Sequence, residues 1–213
     1  MASGARDARV TDLHVARTER GSSLAGVCAL LAGLAWVMWV AINMRTHGGL
    51  DAGPPAIGEG IARVGVLLMM AWNLMLLPAA LELESRLGPR APERMRLATV
   101  AGIASVLFWA YGGATRTNNP VLEVAYIGMS AVWWRGVGLG ILPERRAFGI
   151  YTLVLALFAA WDAFLTAFPS VPFALYLTAS PKLPLSIVWD FWLAFELLRP
   201  RAISAHDVAA KAA

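Results

Sequence analysis

Among the side chains able to carry charge or donate strong hydrogen bonds that stand inside otherwise apolar runs of this sequence are Asn73, Arg135, Asp162, Asp190 and Glu196. A charge at the centre of a lipid-crossing helix costs about 2.5 to 3.5 kcal/mol on insertion scales, so each needs a partner or a task. At 1.5 Å per residue from the cytoplasmic end of its own run, Asn73 and Asp190 lie roughly 12 Å deep, Arg135 roughly 10 Å and Asp162 roughly 18 Å. Glu196 falls within about a turn of the boundary and reads as an acid that snorkels to the interface. Arg135 shares a helix face with Gly128, Ala131 and Gly138, which let a neighbouring backbone approach, and Asp190 in the same layer is the acid expected to pair with it. Such a pair can fix the arrangement of two helices without doing chemistry.

Asp162 is the deepest charge, and no basic residue is expected at its depth. A lone carboxyl there stays protonated at neutral pH, which makes it a candidate general acid, proton carrier or cation site, or simply a hydrogen-bond donor to a neighbouring helix. All nine tryptophans fall inside the apolar runs. Trp36, Trp109 and Trp161 come out roughly 17 to 18 Å deep and Trp72, Trp133 and Trp189 roughly 13 to 14 Å, too deep for the interfacial belts. Indoles beside carboxyls suit a cavity for a flat apolar molecule or a cation, and they equally fill a wide bundle core. The candidate site therefore takes Asp162 and Asp190 as acids and Trp36, Trp72, Asn73, Trp109, Trp133, Arg135, Trp161 and Trp189 as ligand contacts.

The elements that must position these residues follow from composition. With 58% hydrophobic and 15% charged residues in a chain of 213, a water-soluble globule, a disordered chain and a disulfide scaffold are excluded. The fold expected is an all-α integral membrane protein, a bundle of six transmembrane helices with spans at 24–44, 61–81, 97–114, 121–142, 150–168 and 183–198, and tails at 1–23 and 199–213. Asn119 and Pro120 form a start signal for the fourth span, and Pro143 a stop. The segment 169–182, rich in Pro, reads as a membrane-hugging turn before a short sixth span. Thirteen Lys and Arg fall in the two tails and the second and fourth loops, whereas the opposite loops hold Arg45, Arg63, Arg116 and Lys182. That asymmetry places both termini in the cytoplasm of a cell-membrane protein, of bacterial inner-membrane type.

Several chemistries are excluded by what the runs lack. His14, His47 and His206 lie outside them, which removes bis-histidine haem; no run contains a lysine for a retinal Schiff base; Cys28 is the single cysteine. His47, Asp51 and Glu59 match no metal motif, and Gly136 to Gly140 is a helix-packing signal rather than a nucleotide loop. No cofactor, metal or nucleic-acid partner is expected. The partners expected are membrane lipids and a hydrophobic small molecule, with a homodimer or larger membrane complex as a further option. The residues support an isomerase or cyclase acting on an isoprenoid or sterol-like molecule, with Asp162 as acid and indoles as walls. The alternatives are a proton-coupled carrier of a cationic or amphipathic solute, and a non-catalytic subunit of a membrane complex.

Overall fold

Backbone in lipid must satisfy its own N–H and C=O groups, and the described apolar runs of this chain are all helical. The computed structural model describes residues 22–42, 59–115, 119–168 and 170–199, and no strand occurs among them. The helices are α1 (Ser22–Ile42), α2 (Glu59–Leu87), α3 (Pro92–Thr115), α4 (Pro120–Ile141), α5 (Arg146–Ala167), a single turn α6 (Phe173–Tyr176) and α7 (Lys182–Leu198). A 3-10 turn, Gly88–Arg90, joins α2 to α3.

Four of these are long and apolar enough to cross a membrane: Ser22–Ile42, Leu67–Arg90, Pro92–Gly112 and Arg146–Ala167. Their outer faces carry exposed Leu, Val and Phe, among them Leu24, Leu67, Leu97, Leu107 and Leu157. An all-helical chain so dressed is built as a membrane protein. α4, with Glu123 and Arg135, and α7, with 17 residues, fall outside that set. The helices outrun the apolar runs at their polar ends: α2 continues six residues past 81 to Leu87, and α5 begins at Arg146 rather than 150. Hydrogen bonding does not stop where hydropathy falls, so apolar runs mark the lipid-facing length rather than the helix. At α4 the local signals are met, since the Asn119 side chain accepts from Val121 N at 3.0 Å and Pro120 occupies the first turn. Residues 43 and 44 of the first expected span, and the tails up to 21 and from 200, lie outside the described residues.

Consecutive helices α2, α3, α4 and α5 lie side by side, and α7 returns against α5. α7 also meets three other helices. Trp36 of α1 donates to Ser186 Oγ at 3.0 Å, Trp72 of α2 donates to Asp190 Oδ2 at 2.7 Å, and Trp133 and Trp134 of α4 set their ring edges against Trp189. α1 reaches α7 because its inward stripe is small: Ala25, Ala29 and Ala32 are buried, and a Cβ on Gly33 would stand 3.3 Å from Asp190 Cβ. At the other side of the bundle, a Cβ on Gly136 of α4 would overlap the Ala98 methyl of α3.

Charged groups gather at one end of the bundle, where Ser22 bonds Glu82, Arg90 pairs with Glu144, and Arg145 pairs with Glu196 at 3.1 Å. Arg86 reaches the last carbonyls of α7, donating to Glu196 O at 3.4 Å and Leu197 O at 3.2 Å, so that helix end is capped by a cation as its dipole favours. The start of α1, the α2–α3 and α4–α5 connections and the end of α7 thus share one end.

Two glycines of α4 should respond with opposite sign to the same change. Gly136→Ala forces α3 and α4 apart and is expected to cost about 1 to 3 kcal/mol, whereas Gly128→Ala, with nothing within 4 Å, gains helix propensity of about 1 kcal/mol. Thermal unfolding of the purified protein in detergent reads both.

Candidate functional site

The tryptophans that form the bundle's interior are fixed one by one. The Trp36 and Trp72 rings stack at 4.6 Å and 9°, Trp39 lies against Trp36 at 4.6 Å, and Trp109 meets Trp72 edge-on at 6.3 Å. Offset-stacked and edge-to-face contacts of this kind are what ring quadrupoles favour. Flat rings held by their N–H groups cannot close around one another as branched side chains do. A cavity of about 80 Å³ remains between α1, α2, α3, α4 and α7.

Its walls include Trp36, Trp72, Trp109, Trp133 and Trp134, and its polar atoms come from Asn73, Ser105, Ser130, Tyr126, Ser186 and Lys182. Much of this polarity is spent within the protein. The Ser105 and Ser130 hydroxyls lie 2.6 Å apart and each stands 3.0 Å from Tyr126 O, so one donates to the other and that second hydroxyl to the carbonyl, while Asn73 donates to Met69 O and Ser186 donates to Leu183 O. Lys182 differs: its ammonium has three donors, and Asp162 is its described partner. The lysine, rather than the aspartate, lines the cavity.

Asp162 is therefore not the lone deep acid expected from the sequence. It forms an ion pair with Lys182, at side-chain exposures of 19% and 23%. Depth measured from the end expected to be cytoplasmic concealed that Asp162 stands only five residues, about 8 Å, before the far end of α5, where the start of α7 brings the lysine alongside. Lys182 is also the first residue of α7 rather than a loop residue.

The expected Arg135–Asp190 pair does not form. α4 meets α3 through Gly136, one residue and about 100° away, which turns Arg135 outward to an exposed position. Asp190 is instead buried at 1% exposure against Trp72, and its Oδ1 has no hydrogen-bond partner among the described residues. Glu196 lies at the bundle end, engaged by Arg145 at 3.1 Å.

Of the remaining expected contacts, Trp36, Trp72, Asn73, Trp109 and Trp133 meet in the cavity. Trp189 is fully buried beside it, bonded to Thr152 Oγ1 at 3.0 Å, and Trp161 stands on the outside of α5, bonded to Thr178 Oγ1 at 2.7 Å. Trp134, Tyr126, Ser105, Ser130, Ser186 and Lys182 join the wall without having been singled out. Ser105 and Ser130 were visible as hydroxyls inside apolar runs; nothing in the sequence marked the lysine, whose place depends on how α7 begins after Pro181. Among the described residues no cluster of His, Cys, Asp and Glu could hold a metal ion.

Comparison with family models, curated proteins and solved structures finds no match for this chain.

The ion pairing can be measured directly. Lys182→Ala and Asp162→Ala should show a coupling of about 0.5 to 1 kcal/mol in a double-mutant cycle of thermal unfolding, as a part-exposed pair does. Arg135→Ala and Asp190→Asn should add with no coupling.

Proposed function

We propose that the protein is a multi-pass membrane protein in which α1 to α5 and α7 cross the bilayer and whose central cavity binds a slender amphiphile, its polar head at Lys182 and its apolar chain among the indoles. The observation that carries this reading is the Trp-walled cavity with a lysine on its rim. α4 and α7 cross together with the other four helices because their neighbours shield their polar residues: α4 lies between α3 and α5, and α7 is walled by four helices. The end that gathers the arginines faces the cytoplasm under the positive-inside rule, which puts Lys182 and Asp162 toward the other face.

The cavity's size and charge narrow the occupant. About 80 Å³ admits a few waters or the end of one alkyl or isoprenoid chain. The Lys182 ammonium, paired with Asp162, still has two N–H donors without a partner among the described residues, which suit an anionic or accepting head. Acid catalysis would need a carboxyl on the wall; Asp162 is held by Lys182 and Asp190 stands behind Trp72, so binding is favoured over isomerisation or cyclisation.

Filling the cavity tests the reading. Ile127→Trp places a ring in the space that the buried Ile127 borders and should abolish co-purification of an amphiphile that native mass spectrometry detects on the wild type. Lys182→Gln should weaken an anionic occupant by about tenfold or more, the worth of one charge-assisted hydrogen bond. Equal retention of the same molecules by wild type and Ile127→Trp would remove the cavity from the account. Orientation is read separately: reporters in the loop at Arg90 and after Arg201 should be cytoplasmic and one near Gly53 external.

A further inference from the structure

Asp190 is a carboxyl with nowhere to place half of its hydrogen-bonding capacity. Oδ2 accepts from the Trp72 indole at 2.7 Å, Oδ1 has no partner among the described residues, and the side chain is 1% exposed. A buried carboxylate without a cation costs several kcal/mol, whereas the acid form needs only hydrogen bonds. Among the described residues, no helix packed around it presents a compensating charge. α1 presents Gly33, α2 presents Trp72, α5 presents the Tyr151 phenol, which donates to Leu185 O at 2.7 Å, and α7 itself presents Ser186 one turn away, while the α4 rings Trp133 and Trp134 stand against the adjoining Trp189. None of these side chains is a cation.

The cavity ends one side chain short of this acid. Trp72 lines the cavity and also holds Asp190, and Ser186 on the same face of α7 lines it too, while Asp190 does not. The Trp72 ring is stacked on Trp36 and edged by Trp109, both of them walls of the same cavity. Whatever enters between those rings pushes on the one that seals the carboxyl.

We propose that Asp190 is a proton-exchanging site and that the Trp72 indole is its gate, sealing the acid in the structure described and opening it to the cavity when the ring turns. In the sealed state the acid keeps its proton. With Trp72 displaced, a cavity water reaches the carboxyl, the O–H bond of Asp190 breaks, the proton joins the water as hydronium, and the carboxylate remains until a proton returns by the same route. The inference rests on the cavity and not on what fills it.

Infrared spectroscopy of the full chain in lipid nanodiscs tests this without a ligand. The wild type should show a carboxylic-acid C=O band that is lost in Asp190→Asn, and that band should shift slowly after transfer to D₂O. Trp72→Leu, which opens the wall, should exchange about tenfold faster, equivalent to losing about 1.4 kcal/mol of protection. Trp72→Phe keeps a ring but removes the N–H, so the band should move to higher frequency. Ile127→Trp, which blocks the route, should slow the exchange. Should Trp72→Leu fail to fold, the Trp72→Phe shift and the Ile127→Trp exchange decide the matter in proteins of native-like volume. An Asp190-dependent acid band that is absent from the wild type overturns the proposal, and so does exchange unaffected by both the opened wall and the filled cavity. Either result leaves the amphiphile reading standing, because that reading is judged by co-purification.

Discussion

Apolar helices inside a bilayer gain little from leaving lipid for one another, so a bundle must be held by close packing and by hydrogen bonds that lipid cannot supply. In this chain that task falls on α7. Its Ser186 and Asp190 receive the indole N–H groups of α1 and α2, its Trp189 donates to Thr152 of α5, and its final carbonyls are capped by Arg86. Small residues allow the approach: Gly33 brings α1 against Asp190, and Gly26 stands against Leu198. The other helices are arranged around a short helix that at 17 residues, roughly 26 Å, barely matches a hydrocarbon core of about 30 Å.

The cavity is a by-product of that same anchoring. Rings tied by their N–H groups have fixed planes, and a stack such as Trp36 on Trp72 leaves flat-sided gaps that aliphatic side chains would have closed. Trp133 and Trp134 line the same cavity with buried indole nitrogens that have no hydrogen-bond partner among the described residues. A core built only to be filled would place Leu or Ile there. The arrangement instead exchanges packing density for a polarisable, orientable wall, with Lys182 as the one cationic side chain among its described residues.

Much of the fold was legible in the sequence because the bilayer makes apolar length and helix nearly synonymous. The Asn119–Pro120 start and the short helix after the Pro-rich segment were legible too, since each is a local backbone constraint. What the sequence concealed was rotation. α4 is apolar almost all round, so no stripe announces its inward face, and a 100° difference between Arg135 and Gly136 decides whether the arginine meets Asp190 or the outside. Depth taken from one face misled in a second way: Asp162 looked central because the nearness of the opposite end, and of Lys182 there, depends on where α7 begins. The tryptophan cluster was legible as a set, while its division into walls, filler and outer surface was not, because that division is also a matter of rotation.

The bond between Trp36 and Ser186 joins residues 150 positions apart. Ribosomes add about 5 to 20 residues per second, so the indole of α1 waits on the order of 10 s in the membrane before its acceptor has been made. Throughout that interval α1 and α2 carry Trp36 and Trp72 toward a slot that nothing occupies, and Arg86 has no carbonyls to cap. The half-built protein therefore exposes a polar-lined groove to lipid during synthesis, and closure of the bundle is an event in time, set by the arrival of α7 rather than by the insertion of the helices before it.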